Sequence, residues 1–196
     1  NFRSDIPERF NIAVACCDRH ADGTGRLALL YVDEGGGTTR TSFDEVAEAS
    51  RRFANVLTAD GLVRGDRVAV FLSQSLELPI AHLAAFRSGM ISIPLFALFG
   101  EDALEFRLSN SEAKAIVTDE GGWEKLAKIR DRLPALKNVY VIGDRTPAGT
   151  KSFWSEIKAA SPDFATVDTS CDDPALIIYT SGTTGPPKGA MLSHRN

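Results

Sequence analysis

Apolar positions along this chain follow two rhythms, and the way they alternate outlines the fold. Helical spacing is clearest after Ser42, where Phe43, Val46, Ala47, Phe53, Ala54 and Leu57 recur on one face until Gly61. Ser42 with Glu45 three residues later forms a capping box at the start of that helix. Short unbroken apolar runs at 67–72, 90–94, 114–118 and 138–142 read as strands buried on both sides of a parallel sheet. Between them, helical spacing is predicted over 75–88 (Leu76, Ile80, Leu83, Ala84, Phe86), 102–109 (Leu104, Phe106, Leu108) and 124–133. Pro79 is near enough to a helix start for the first turn to accept it. Strands and helices alternating at this interval imply right-handed crossovers, so the expected class is α/β: a mostly parallel sheet with helices on both faces.

Outside this repeat, residues 11–18 read as a helix, 27–32 as a strand, and 33–37, with three glycines, as the turn of a hairpin returning through 38–41. Residues 144–150 read as a loop, after which Phe153 and Trp154 anchor a short helix. The stretch 161–174 is polar and is expected to connect this body to a last strand, 175–179. Its aspartates, Asp163, Asp168, Asp172 and Asp173, lack the spacing and closing glutamate of a calcium loop. Arg64-Gly65-Asp66 is expected to be a turn, not an adhesion ligand.

The composition suits a folded chain with a substantial core: 196 residues, 43% hydrophobic. Net charge is 22 − 26 = −4 with no basic block, which argues against a nucleic-acid partner. No apolar run approaches the roughly 18 residues of a membrane span, and no signal-type segment precedes the first element. No integral membrane segment and a cytoplasmic location are therefore expected. Cys16, Cys17 and Cys171 are odd in number and lack Cys-x-x-Cys spacing, so plain thiols are expected. His20 and His82 fall in or beside predicted helices with no visible partner and read as packed or surface side chains.

The chemistry is concentrated in Tyr179-Thr-Ser-Gly-Thr-Thr-Gly-Pro-Pro-Lys-Gly189. Thr180, Ser181, Thr183 and Thr184 supply hydroxyls, Gly182 and Gly185 let backbone N–H groups approach an anion, and Lys188 adds a mobile charge. Such donors suit phosphate oxygens. By composition alone, a Gly/Ser/Thr connector with a solvated lysine fits equally well. The stretch is not a Walker loop: Pro187 stands where that motif needs its second glycine, and Gly189 where it needs Ser or Thr.

In its order, the stretch closely resembles the phosphate-loop signature of the adenylate-forming (AMP-binding) superfamily, which holds acyl-CoA synthetases, luciferases and peptide-synthetase adenylation domains. Residues 191–196 continue the usual sequel, and the stretches 10–13, 17–21 and 94–104 look most like bacterial acetyl- and medium-chain acyl-CoA synthetases. Family members are commonly much longer. Residues 1–196 are therefore expected to be a truncated N-terminal part of the AMP-binding domain, with the phosphate-binding loop at 179–189.

The resemblance implies an ATP-dependent acid-thiol ligase that activates a short- or medium-chain carboxylate as an acyl-adenylate and passes the acyl group to coenzyme A. It implies ATP, Mg²⁺ and coenzyme A as reaction components and the remainder of the same polypeptide as partner. Thr180, Ser181, Gly182, Thr183, Thr184, Gly185 and Lys188 would hold the β,γ-phosphates, with Thr184 near Mg²⁺ and Lys188 and Thr184 acting on the chemical step. His194 would lie near the acyl site. The family's adenine-stacking, ribose-binding and catalytic-lysine motifs have no counterpart here, so this piece alone is expected to be inactive. Other adenylate-forming chemistries, a nucleotide hydrolase or kinase, and a non-catalytic anion-binding module remain open on sequence. With two prolines and no foreseen pairing, residues 180–196 are expected to have few backbone partners and to be mobile without nucleotide.

Overall fold

The computed structural model of the protein describes residues 5–33, 35–180 and 185–196. A short helix α1 (Ile12–Cys16), capped by the Asn11 side chain, precedes an antiparallel hairpin of β1 (Leu27–Val32) and β2 (Thr38–Ser42). Ser42 then starts α2 (Phe43–Ala59), where its side chain accepts from the Glu45 N–H and the Glu45 carboxylate accepts from the Ser42 N–H. Both halves of the expected capping box are formed.

The main sheet is built from β3 (Arg67–Phe71), β4 (Ile91–Leu95), β5 (Ala115–Asp119), β6 (Asn138–Ile142), β7 (Lys151–Ser152), β8 (Pro174–Thr180) and β9 (Lys188–Ser193). Their order across the sheet is β7-β6-β5-β3-β4-β8-β9, with every pairing parallel except β8 with β9. The crossovers include α3 (Glu77–Arg87), α4 (Glu101–Asn110) and α5 (Glu120–Ala127), and α6 (Phe153–Ala159) follows β7. Alternate strand residues face opposite ways. Val68, Val70, Val117 and Tyr140 join Phe53, Leu57, Ile80 and Phe153 in one core. Ala69, Phe71, Ile116, Val139 and Val141 join Leu104, Leu108 and Leu126 in the other. The α/β class and the helices on both faces are as the hydrophobic pattern requires.

Two elements depart from expectation. Helix α5 begins four residues earlier than its apolar pattern suggested and gives way to a single 3₁₀ turn, Arg130–Arg132. The Asp119 side chain accepts from the Gly122 N–H at 2.6 Å and so starts the helix. Gly122, normally a poor helix residue, is required there because a Cβ would run into Thr118 and the Phe71 ring. The second departure is a correction: residues 188–193 do have backbone partners. β9 pairs antiparallel with β8, setting Thr180 opposite Lys188, Tyr179 opposite Gly189 and Ile177 opposite Met191. β8 would otherwise leave a row of open N–H and C=O groups, and β9 fills it.

The 161–173 connector is docked along its length. The Asn55 amide donates to the Ser161 and Asp163 carbonyls at 2.8 Å, and the Val167 N–H donates to the Arg87 carbonyl at 2.8 Å. Phe153 is fully buried, and the Trp154 indole N–H donates to Glu77 at 2.8 Å.

Candidate phosphate-binding loop

β8 ends at the carboxyl edge of the parallel strands, where ligands of open α/β sheets bind. From there the chain enters residues 181–184 and returns as β9. Ser181, Gly182, Thr183 and Thr184 lie outside the described residues, and with them the expected metal contact and half of the expected catalytic pair. The described flanks are Thr180 and Lys188, exposed and opposite each other in the register. Gly185 adopts φ 114°, a left-handed conformation that suits glycine. Lys188 makes no ion pair among the described residues. The Thr180 hydroxyl and the Lys188 ammonium are the described polar groups at this end of the β8–β9 ladder. Among the described residues no three His, Cys, Asp or Glu gather as a metal cluster.

His194 is not brought to this loop. Because β9 runs back along β8, it sits beyond Ser193, opposite Pro174, at the amino end of β8. It is 3% exposed, its Nδ1 accepts from the Ile12 N–H at 3.2 Å, and its ring meets Phe86 edge-on at 6.2 Å. Burial lowers its pKa, with Asp173 opposing.

His82 is half-buried and pairs through Nδ1 with the Ser92 hydroxyl at 2.7 Å. It lies on the wall of an apolar cavity of about 470 Å³ bounded by Ile12, Leu83, Phe86 and Leu176. Burial pushes its pKa down to about 4, so the ring is neutral. Cys17 is buried, and its thiol is pushed up to about 11, chiefly by that burial.

Three further residues matter near the loop. Gly189 packs where a Cβ would stand 2.8 Å from Ile177 Cγ2 and 3.4 Å from the Tyr179 ring, so the glycine after the lysine is a packing requirement of the hairpin. Lys125 donates to the Ala97 and Phe99 carbonyls at 3.1 and 3.2 Å and holds the loop after β4. Phe96 and Leu98 of that loop are left 63% and 78% exposed. Arg107 is 7% exposed, with its guanidinium 4.0 Å over the Phe99 ring and 5.6 Å from the Tyr179 ring. The only sequence trace of Arg107 is a charge set between Phe106 and Leu108 in the apolar stripe of a helix. Among the described residues no helix is long and apolar enough to cross a membrane.

Residues 17–196 match the family described as AMP-binding enzyme. The chain is 34% identical over 201 residues to the mitochondrial acyl-coenzyme A synthetase ACSM3 of Mus musculus, a match covering 99% of this chain and 34% of that protein. It is 38% identical over 192 residues to the acetyl-coenzyme A synthetase of Bacillus subtilis, covering 95% of this chain and 33% of that one. Among solved structures, the Brucella canis acyl-CoA synthetase superposes with a TM-score of 0.87 at 32% identity, over 99% of this chain and 35% of the other. The chain thus spans about a third of the length of the curated relatives it matches. With the family match covering nearly all of the sequence and the hairpin at the carboxyl edge of the sheet in place, the chain belongs to the AMP-binding enzyme family, whose relatives here are acyl- and acetyl-CoA synthetases.

Proposed function

We propose that this chain is the N-terminal part of an ATP-dependent, AMP-forming acyl-CoA synthetase and supplies its phosphate-binding loop. The observation that carries the reading is the β8–β9 hairpin, which sets Thr180 against Lys188 across residues 181–184. In the proposed reaction a carboxylate oxygen attacks the α-phosphate of ATP, the bond to the bridging oxygen breaks, and pyrophosphate leaves. The thiolate of coenzyme A then attacks the acyl carbon and AMP departs. Thr180, Ser181, Gly182, Thr183, Thr184 and Gly185 would donate to the β,γ-phosphates, and Lys188 would neutralise charge that grows on the departing pyrophosphate. Thr184 is the residue we assign to Mg²⁺, which would screen the same phosphates.

His194 is assigned to the acyl site, away from the phosphate loop: its buried Nε2 has no partner among the described residues, and its ring meets Phe86, which bounds the apolar cavity. A cytoplasmic location goes with the proposal, and cell fractionation is its direct check. The family's adenine, ribose and catalytic-lysine motifs have no counterpart in residues 1–196, so this polypeptide should bind ATP weakly and form no acyl-adenylate by itself. The test is pyrophosphate release with ATP, Mg²⁺ and acetate, butyrate or octanoate. Carboxylate-dependent turnover by these residues alone would refute the reading.

A further inference from the structure

The main sheet is covered unevenly. Every residue of β3, β4, β5 and β6 is buried or half-buried, whereas β8 alternates buried with exposed positions and β9 is exposed along most of its length. Parallel sheets of α/β proteins ordinarily carry helices on both faces. On β8, Leu176 and Ile178 point to the side on which α3 lies, since they and α3 bound the same apolar cavity. Directly opposite residues of an antiparallel pair share a side, so Leu192 and Ala190, opposite Leu176 and Ile178, extend that surface onto β9. Ile178 and Ala190 are exposed, and Leu176 and Leu192 half-buried. The cavity is continuous with this surface: Leu176 and Ile178 bound it from the sheet, Ile12 and Cys16 from α1, and Leu83 and Phe86 from α3. Exposed Ile178 and Cys16 mark its open side.

We propose that the open side of the cavity and the α3 side of β8 and β9 form a docking surface for the apolar face of a helix from the rest of the polypeptide, which closes the cavity. This rests on the reading of the chain as the N-terminal part of a longer enzyme: the match takes up only 34% of the length of the ACSM3 relative, so a polypeptide of that length has ample chain to supply the helix. A helix is the element that continues the layer, because α1 and α3 already lie on this side of the strands. Apart from His82 and the adjacent Cys16 and Cys17 the walls are apolar, and no Asp, Glu, Lys or Arg bounds the cavity, so the surface suits a greasy stripe and not an ion. The place is within reach in cis: Asn196 stands two residues after His194, which accepts from the Ile12 N–H and meets the Phe86 ring, both residues of the cavity wall. The acyl site assigned above is then half-built in residues 1–196 and completed by the docked helix.

Cys16 is a built-in probe, because it is exposed on the cavity wall while Cys17 and Cys171 are buried. Native alkylation by iodoacetamide, read peptide by peptide in the mass spectrometer, should label Cys16 quickly in the 196-residue chain. In the full-length polypeptide the same thiol should react about tenfold more slowly or slower still, because the docked helix must first open. Ile178→Glu in the full-length polypeptide should restore fast labelling, whereas Met191→Glu, on the other side of the β8–β9 ladder, should not. Release of Cys16 by both substitutions alike would overturn the assignment to this surface. The two unsubstituted polypeptides decide the matter even where a variant fails to fold: equally fast labelling of Cys16 in both overturns the proposal. Protection that grows with the concentration of the 196-residue chain would give the surface to a second copy and overturn it equally. Acyl-CoA formation from ATP, octanoate and coenzyme A by the full-length polypeptide is scored in parallel. A protected Cys16 without acyl-CoA would refute the functional reading and uphold the docking, and acyl-CoA with an unprotected Cys16 would do the reverse.

Discussion

Arg87 and Arg107 are both buried arginines carried by helices, one against each face of the sheet, and they are stabilised by opposite means. Arg87, fully buried at the end of α3, donates from both terminal nitrogens to the two oxygens of Asp18, and also to Ser50 and Thr166. Its neighbourhood is the amino edge of the sheet, where Asn11 donates to the Phe86 and Val167 carbonyls and His194 accepts from the Ile12 N–H. Arg87 Nε and His194 Nε2 are nevertheless buried there without a partner among the described residues, as Nε of Arg107 is at the other edge. Arg107, among the described residues, has two aromatic rings in place of a carboxylate, those of Phe99 and of Tyr179 near the end of β8. One arginine is held by an ion pair and hydroxyls, the other by aromatic faces and a carbonyl of its own helix. The difference separates substitutions that should unfold the protein from those that should cost it only its chemistry.

The largest effect on stability should come from Arg87→Met, which leaves Asp18, 23% exposed at its side chain, with only the longer ion pair to Arg51 at 3.8 Å. Breaking a buried ion pair on one side typically costs about 3–5 kcal/mol. Thermal or urea unfolding should show a loss of that order, whereas Arg107→Met should lose much less. Equal losses would erase the distinction between the edges.

At the carboxyl edge, Lys188→Ala and Thr184→Ala in the full-length enzyme should slow carboxylate-dependent ATP–pyrophosphate exchange by roughly 10²–10³, the usual cost of removing one transition-state donor. Coenzyme A thiolysis of a preformed acyl-adenylate should be slowed far less, because pyrophosphate has already gone. Equal slowing of both half-reactions would mean that the loop supports the site only in general.

His82, between the edges, gives the comparison a pH axis. Its folded pKa of about 4 lies below the ordinary 6.5, so the unfolded chain takes up the proton first. Its stabilising contribution is present above pH 6.5 and is lost as pH falls toward 4, in total roughly 3 kcal/mol at about 1.4 kcal/mol per pH unit. His82→Asn should flatten unfolding free energy against pH in that window, and an unaltered slope would remove His82 as the cause.

The smallest effect should follow Gly189→Ala, which presses a methyl group against Ile177 and the Tyr179 ring. A cost of about 1–3 kcal/mol is expected for such overpacking, read as faster amide exchange in β8 and β9. No change in exchange would show that the hairpin gives way at that point.

What the sequence determined by itself is what local pattern can encode. The α2 capping box, the βαβ rhythm and the order of residues 179–189 each depend on neighbours within a few positions, and each led to the right element or family. Tertiary structure decided the rest. Residues 188–193 have no strong strand pattern and are a strand because β8 leaves an open edge. Helix α5 starts at Glu120 because Asp119 caps it and because Gly122 alone fits against Phe71. His194 falls at the far end of β8 because β9 reverses direction, which a count of residues from the loop cannot reveal. Arg107 reads in sequence as one charge in a helix. Only the folding of residues 99 and 179 onto α4 encloses it between two rings, since the attraction of a cation to an aromatic face acts over a few ångströms of space and has no counterpart in sequence spacing.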